Sequence, residues 1–196
     1  MSVISSSSVY TTPVSSSGLL VDSRNGQVYK TVNIGTQTWM AENLNYETME
    51  SFCYNLDGTN CTIYGRLYTW IAAKTACPGG WHLPDTTEWR FLINTVGGEN
   101  IAGQKLKAAT TTILWAPMDG IRNQDVYGFA ALPAGCYNDF SDIYHKEGYL
   151  ASFWSSTEGI SSVYAYSISL VYDGDGAILK GAAGRNHGLS VRCIKD

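Results

Sequence analysis

The fold is decided by the stretch TACPGGWHLPDTTEW, which runs from Thr75 to Trp89. Pro78 cannot continue a helix and the two glycines after it allow backbone angles that other residues avoid, so a helix is predicted to end here. Asp85, followed three residues later by Glu88, is typical of a capping box and predicts that a second helix begins. The stretch therefore describes a scaffold and does not indicate what the protein binds.

Working outward, three helices are predicted, over residues 64–76, 85–96 and, more loosely, 100–109. In the first, Leu67, Trp70 and Ile71 are expected to share one apolar face. In the second, the apolar residues recur at the i, i+3, i+4 and i+7 spacing of a helix face: Trp89, Leu92, Ile93 and Val96. Two glycines then end that helix.

Strands dominate the rest of the chain. Alternating or continuous apolar runs predict them over residues 28–34, 37–44, 129–135, 150–155, 163–172, 177–181 and 189–194. A hairpin turn is expected at 173–176, and a loop over 110–125 with Trp115 turned inward. Helices in the first half and strands in the second indicate an α+β fold with an antiparallel sheet. Residues 1–17, rich in Ser and Thr and uncharged, are interpreted as an arm or linker, and residues 18–196 as one domain.

Composition excludes several classes of protein. Charged residues make up only 15% of the 196 and the net charge is −4, so no nucleic-acid partner and no anionic membrane surface is expected. No apolar run approaches the roughly 20 residues that a membrane span needs, so no membrane insertion is predicted. The start of the chain has neither the basic nor the apolar part of a signal peptide.

Five cysteines are present, and none forms a C-x-x-C pair. The three histidines lie at no zinc-ligand spacing, so disulfides are favoured over a metal site and one thiol is left over. Cys53 and Cys61 bracket a turn-rich segment that a disulfide could close.

Seven ordered motifs carry a resemblance to a known family. They are NGQVYKTV (25–32), IGTQTWMAENLNY (34–46), YGRLYTW (64–70), CPGGWHLPDTTEW (77–89), GFAALPAG (128–135), FWSSTE (153–158) and SVRC (190–193). Together they closely resemble the Fibrobacter succinogenes major paralogous domain, over roughly residues 21–196.

The resemblance implies a C-type-lectin-like fold, with two main helices, a small antiparallel sheet and a long loop region that carries the ligand surface. It also implies disulfides that join Cys53 to Cys61 and Cys77 to Cys193. More narrowly, the chain resembles the variable proteins of diversity-generating retroelements, whose C-terminal region is mutated to change the ligand, often on phage tails or bacterial surfaces.

Two departures from related patterns matter. Cys136 stands where the family more often shows tyrosine, which makes it the unpaired thiol, and we expect it to be a small buried residue. The Glu-Pro-Asn, Gln-Pro-Asp and Trp-Asn-Asp motifs of calcium-dependent lectins are absent, which argues against calcium-mediated sugar binding.

Catalytic and metal-binding patterns are weak. The sequence contains no Gly-x-Ser-x-Gly elbow, and His82 is interpreted as a structural histidine within the scaffold turn. Asp173 and Asp175 could contribute to a calcium site, but a solvated hairpin turn is the favoured interpretation. We therefore expect no cofactor.

The strongest functional signal is a group of aromatic residues in the C-terminal part of the chain. Nine of the 24 aromatic residues (13 Tyr, 6 Trp and 5 Phe) fall within residues 137–172, mixed with Asn, Asp and Ser. Such mixtures make antibody-like contact surfaces, although half-buried strand tyrosines are the alternative. The residues predicted to bind ligand are Tyr137, Asn138, Asp139, Tyr144, His145, Tyr149, Tyr164, Tyr166, Tyr172, Arg185, Asn186 and His187.

These observations favour a non-enzymatic module that binds a protein or glycan receptor on a host or neighbouring cell. The expected location is extracellular, on a virion tail or bacterial surface, and the N-terminal arm is a candidate route to a homo-oligomer. Two alternatives stay open: an oxidase-like enzyme of the formylglycine-generating type, which would need reactive cysteines, and a structural decoration of a fibre or cell surface.

Overall fold

The computed structural model describes residues 17–109, 115–121 and 123–196. The predicted arm, apart from Ser17, and part of the predicted loop 110–125 lie outside the described residues.

The described chain is α+β with far more strand than helix. The strands are β1 Ser17–Val21, β2 Val28–Ile34, β3 Gln37–Met40, β4 Ser51–Phe52, β5 Leu67–Tyr68, β6 Trp81–His82, β7 Ala134–Asn138, β8 Ile143–Glu147, β9 Leu150–Glu158, β10 Tyr164–Val171, β11 Ile178–Gly184 and β12 Ile194–Lys195. The helices are α1 Gly58–Tyr64, α2 Trp70–Ala76, α3 Thr86–Thr95 and α4 Ala102–Leu106.

The strands form two five-stranded sheets and one two-stranded sheet. The first sheet has the order β1-β2-β3-β12-β6, so the last strand of the chain lies between two early ones. The second has the order β11-β10-β9-β7-β8, and the small sheet pairs β4 with β5. The second sheet is not purely antiparallel, because β7 runs parallel to β9. The sheets are therefore larger than the small antiparallel sheet that was expected, and one of them is mixed.

The stretch from Thr75 to Trp89 forms the predicted turn between α2 and α3. Cys77 at the end of α2 is bonded to Cys193, which is 116 positions away in the chain. Asp85 accepts hydrogen bonds from backbone N–H groups of α3, and the Glu88 carboxylate accepts from the Asp85 N–H, which confirms the capping box. The second predicted disulfide, between Cys53 and Cys61, is also present. The scaffold thus connects the end of α2 to the C-terminal strand covalently.

His82 links that turn to the C-terminus. Its Nδ1 lies 2.7 Å from Asp196 Oδ1 and its Nε2 lies 2.8 Å from Glu88 Oε1. Burial alone lowers the pKa of His82, but the hydrogen bonds to Asp196 and Glu88 outweigh it, so the pKa is raised overall. His82 thus joins the turn, α3 and the C-terminal residue, and its side chain is half-exposed.

We expect His82 to make folding stability depend on pH. Because its folded pKa is raised, the stabilisation is complete below the unfolded value near 6.5 and is lost as pH rises through the folded pKa. At this half-exposed site the loss should be about 0.5–1 kcal/mol. The measurement is the Tm of the wild type and of His82→Gln at about pH 5.5 and pH 8.5. The variant should lack this part of the pH dependence; identical slopes in both proteins would contradict the assignment.

The core consists of two clusters of buried residues on either side of the central strands. One packs α3 and α4 around Trp39, Trp89 and Phe153. The other packs α2 around Trp70 and Trp154. Leu150 and Trp154 of β9 enter one cluster and Ala151 and Phe153 the other, so both faces of the strand are buried from Leu150 to Ser155. The predicted apolar face of α3 is confirmed, since all four of its residues are buried.

The first predicted helix is wrong at its start. The helix begins at Trp70, because Gly65 has φ 75° and the Thr69 side chain caps the helix by accepting a hydrogen bond from Ala72 N–H. The preceding Leu67–Tyr68 forms β5 instead. Because the helix begins later, Ile71 points outward rather than sharing a core face with Trp70.

Several strand predictions also need correction. Residues 129–133 are irregular, and the strand in this region begins only at Ala134. Leu189 and Ser190 make isolated bridges, residues 191–193 are irregular, and only Ile194–Lys195 forms a strand. Strand β8 was not predicted from the sequence. The inward position of Trp115 is confirmed, since its Nε1–H donates to the Ala131 carbonyl at 3.1 Å.

Candidate functional site

One end of the second sheet gathers residues that are far apart in the chain. Strands β7 and β9 end here, β10 begins here, and Tyr164 at the start of β10 pairs with Gly184 at the end of β11. A cavity of about 330 Å³ opens at this end. We call it the sheet-end pocket; its lining residues are Ile71, Asp139, Phe140, Ser162, Val163, Gly184, Arg185 and Asn186.

Three apolar side chains of the sheet-end pocket are exposed to solvent. Phe140 is 74% exposed, Val163 60% and Ile71 59%. They come from the β7–β8 turn, the β9–β10 loop and helix α2, so the fold brings them together from three segments. Exposed apolar side chains clustered around a concavity with polar groups are typical of binding surfaces.

Arg185 is the cation of the sheet-end pocket, and three contacts hold it in place. Its guanidinium lies over the Trp70 ring, 4.1 Å from the centroid. Its Nε–H donates to the Tyr164 carbonyl at 3.1 Å. Its Nη2 lies 3.2 Å from a carboxylate oxygen of the exposed Glu158. The guanidinium is therefore oriented before any ligand arrives, which reduces the ordering cost of binding.

Asp139 is the acidic lining residue of the pocket, and it contacts His187. The Asp139 carboxylate contacts His187 Nδ1, and the Asp139 backbone N–H donates to the same nitrogen at 3.3 Å. The Phe140 ring packs edge-on against the imidazole, with ring centroids 5.1 Å apart. These contacts fix the turn that presents Phe140.

Tyr137 and Tyr144 lie next to this turn and pack against each other. Their ring centroids are 5.1 Å apart, and Phe52 lies 5.1 Å from Tyr137 and 5.9 Å from Tyr144. The Tyr137 hydroxyl donates to Asp142 at 2.7 Å, and this hydrogen bond raises the pKa of the tyrosine. Both rings are half-buried, so only part of each ring is open to a ligand.

Tyr149 and Tyr172 lie at the opposite end of the sheet. Their rings pack edge-on with centroids 4.9 Å apart, next to the pairing of Val171 with Leu150. Eight positions along a strand separate Tyr172 from Tyr164, a distance of about 26 Å. Tyr166 lies at a β-bulge, and its ring covers Gly181 of β11. The predicted tyrosines therefore do not form one continuous surface.

His145 and Cys136 lie opposite each other on the two strands of the β7–β8 hairpin. Cys136 Sγ lies 3.2 Å from His145 Nε2, and burial raises the pKa of the thiol to about 11. Burial, together with the charges of Lys146 and His187, lowers the pKa of His145. Cys136 is buried, as predicted, and a thiol with so high a pKa is a poor nucleophile at neutral pH.

A buried lysine, Lys107, lies against the loop that contains Asp173 and Asp175. The buried Lys107 Nζ donates to the carbonyls of Val171 and Gly174 at 3.0 and 2.8 Å. Burial lowers the pKa of Lys107, and the two aspartates partly offset that effect. Within the described ranges, His, Cys, Asp and Glu side chains form no group of three or more that could hold a metal ion.

The structure brings six of the predicted site residues to one end of the sheet: Tyr137, Asn138, Asp139, Arg185, Asn186 and His187. Ile71, Phe140 and Val163 were not among the predicted site residues. For Phe140 a signal was present, because it is the one large apolar residue in the polar run from Asn138 to Asp142. For Ile71 no local signal existed, since its exposure depends on where α2 begins.

Comparison with known proteins gives one family. A search of curated proteins and a search of solved structures each found no match to the chain. The model of the Fibrobacter succinogenes major domain matches residues 32–195, which is most of the chain and runs from the end of β2 through β12. The chain therefore belongs to the Fibrobacter succinogenes major domain family.

Proposed function

We propose that this domain is a non-enzymatic binding module with a C-type-lectin-like fold, and that the sheet-end pocket is its ligand-binding surface. The ligand is a protein or glycan receptor on a host or neighbouring cell. The domain acts outside the cell, on a phage tail or a bacterial surface. The observation that carries the proposal is the cluster of exposed Ile71, Phe140 and Val163 around the oriented guanidinium of Arg185.

The chemistry of the pocket supports binding rather than turnover. Aromatic and aliphatic anchors beside an arginine are the side chains that dominate binding energy at interfaces. Seven of the eight lining residues come from positions 139–186, and most lie in loops that a braced sheet holds in place. Loops on a rigid scaffold tolerate sequence change, so this placement suits a C-terminal region that is diversified.

The two disulfides are compatible with an extracellular location. Among the described residues, every helix lacks the combination of length and apolar character needed to cross a membrane. A module that meets receptors at a surface needs stable, covalently braced loops, and the pocket lies on such a frame.

The test is to screen the wild-type protein on a glycan array and on an array of cell-surface ectodomains, and then to compare variants on any confirmed ligand. Phe140→Ser and Val163→Ser are expected to weaken binding by at least about 30-fold, which corresponds to loss of a hot-spot contact. Both side chains are exposed, so both variants should keep the wild-type Tm.

Tyr149→Ser is the matched control, because it removes a half-exposed aromatic ring at the other end of the same sheet. It should bind like the wild type. If Tyr149→Ser weakens binding while Phe140→Ser does not, the binding surface lies at the Tyr149–Tyr172 end and the assignment to the sheet-end pocket is wrong.

A further inference from the structure

Strand β1 differs from the other edge strands of the two large sheets. Those sheets end at β1 and β6, and at β11 and β8. Strand β8 contains Lys146 and Glu147, β11 contains Lys180, and β6 has only two residues. Strand β1 has five residues, Ser-Gly-Leu-Leu-Val, and none is charged. Edge strands are normally kept from pairing by charges, bulges, shortness or a covering segment. Among the residues that the structure describes, none of these protects β1.

The side chains of β1 add an exposed apolar face beside this open edge. Leu19 is 72% exposed and Val21 61%, and both point to the same side because they are two positions apart. Val28 on the neighbouring strand lies directly opposite Val21 and is also exposed. Leu19 further lines a groove of about 380 Å³ that extends along β2. Backbone groups and apolar side chains are thus both available at one place.

We infer that β1 pairs with β1 of a second copy of this chain, antiparallel and across a two-fold axis, so that two five-stranded sheets join into one of ten strands. A two-fold contact requires a surface that is complementary to itself. Pairing all five residues places Leu19 opposite Leu19 of the second copy, Gly18 opposite Leu20, and Ser17 opposite Val21. No charged residue meets a like charge in this register.

The nearest charges do not oppose this arrangement. Asp22, which follows β1, is fully buried and pairs with Arg24 at 2.7 Å. Lys30 lies opposite Leu19 on β2. Across the two-fold axis the two copies of Lys30 are three strand spacings apart, about 14 Å. That exceeds the screening length of about 8 Å at physiological salt, so their repulsion is weak.

The pairing is distinct from the proposed receptor site, since β1 belongs to the other sheet. A display protein with two copies of a pocket gains apparent affinity by presenting both to one surface. The contact itself is small, because one five-residue strand pair and a few apolar side chains bury little area. We therefore expect a reversible dimer that forms at micromolar to submillimolar concentration.

The experiment is sedimentation velocity of the full chain from about 5 to about 500 μM. The wild type is expected to shift from monomer to dimer over this range. Leu19→Lys is expected to weaken the dimer at least about tenfold, because it places two ammonium groups opposite each other at the axis. Ile160→Lys is the matched control: Ile160 is equally exposed but belongs to the loop between β9 and β10, so this variant should dimerise like the wild type.

A cysteine variant tests the register. Leu19→Cys places two thiols directly opposite each other, with Cβ atoms about 5 Å apart, so a short thiol-specific cross-linker should give a covalently linked dimer. Ile160→Cys should give none under the same conditions. A wild type that stays monomeric at the highest concentration overturns the inference. So does a dimer that is insensitive to Leu19→Lys, or one that Leu19→Cys does not cross-link.

Discussion

Replacing both Cys77 and Cys193 by alanine is expected to lower the free energy of unfolding by about 4–5 kcal/mol. The disulfide closes a loop of more than a hundred residues, from the end of α2 to the strand that lies between β3 and β6. Without it the unfolded chain gains conformational freedom that increases with the length of the loop. A loss of this size is a large part of the 5–15 kcal/mol by which domains are usually stable.

The chain provides its own control for this prediction. The disulfide between Cys53 and Cys61 spans only eight positions, so its removal by the same double alanine change should cost about 2–3 kcal/mol. Urea denaturation of the wild type and both double variants measures the difference. Equal losses in the two variants would show that the loop length does not set the stabilisation, and that packing around the buried Cys193 decides it instead.

Local signals explain which parts of the fold were predictable. The capping box of α3 and its apolar face depend on residues at most a few positions apart, and both are confirmed. The start of α2 depends on distant partners. Residues Leu67–Tyr68 pair with Ser51–Phe52, and the Tyr68 N–H donates to the Leu189 carbonyl at 2.9 Å. A window of sequence around residue 67 cannot show a partner that lies more than a hundred positions away.

The candidate site was likewise predictable only in part. Residue type identified Asp139, Arg185 and His187, because charged and aromatic groups in loops suggest binding wherever they occur. Their convergence at one end of the sheet depends on strand order and on the parallel pairing of β7 with β9. The same topology places Tyr149 and Tyr172 at the far end, although they are close in sequence to residues of the pocket.

The irregular segment from Phe129 to Pro133 has a long-range cause, and that cause is the buried Arg192. Ala130 has a positive φ of 50°, which turns the chain out of a strand. The carbonyls of Phe129 and Ala130 then accept hydrogen bonds from the Arg192 guanidinium instead of pairing in a sheet. The motif GFAALPAG is therefore shaped by SVRC, from which it is separated by more than fifty residues.

Arg192→Met is expected to lower the free energy of unfolding by about 3–5 kcal/mol. The side chain is fully buried, and besides those two carbonyls it donates to Asn43 Oδ1 at 2.6 Å and to the Met40 carbonyl at 3.2 Å. Burial lowers the pKa of Arg192 to about 9, so the group remains a cation at neutral pH. Methionine fills similar volume but leaves all four acceptors without their donor in a region that excludes water.

Two comparisons separate loss of these hydrogen bonds from loss of packing. Arg192→Lys keeps the charge, but the lysine ammonium cannot donate to all four acceptors as the planar guanidinium does. This variant should therefore also be destabilising, by about 2–3 kcal/mol. Arg90→Met makes the same chemical change at an exposed position of α3 and should alter stability by less than about 0.5 kcal/mol. If Arg192→Met costs no more than Arg90→Met in urea denaturation, the guanidinium does not hold residues 129–133 to the core. The shape of that segment would then have to come from Asp125, whose carboxylate accepts the Ala130 N–H at 2.9 Å.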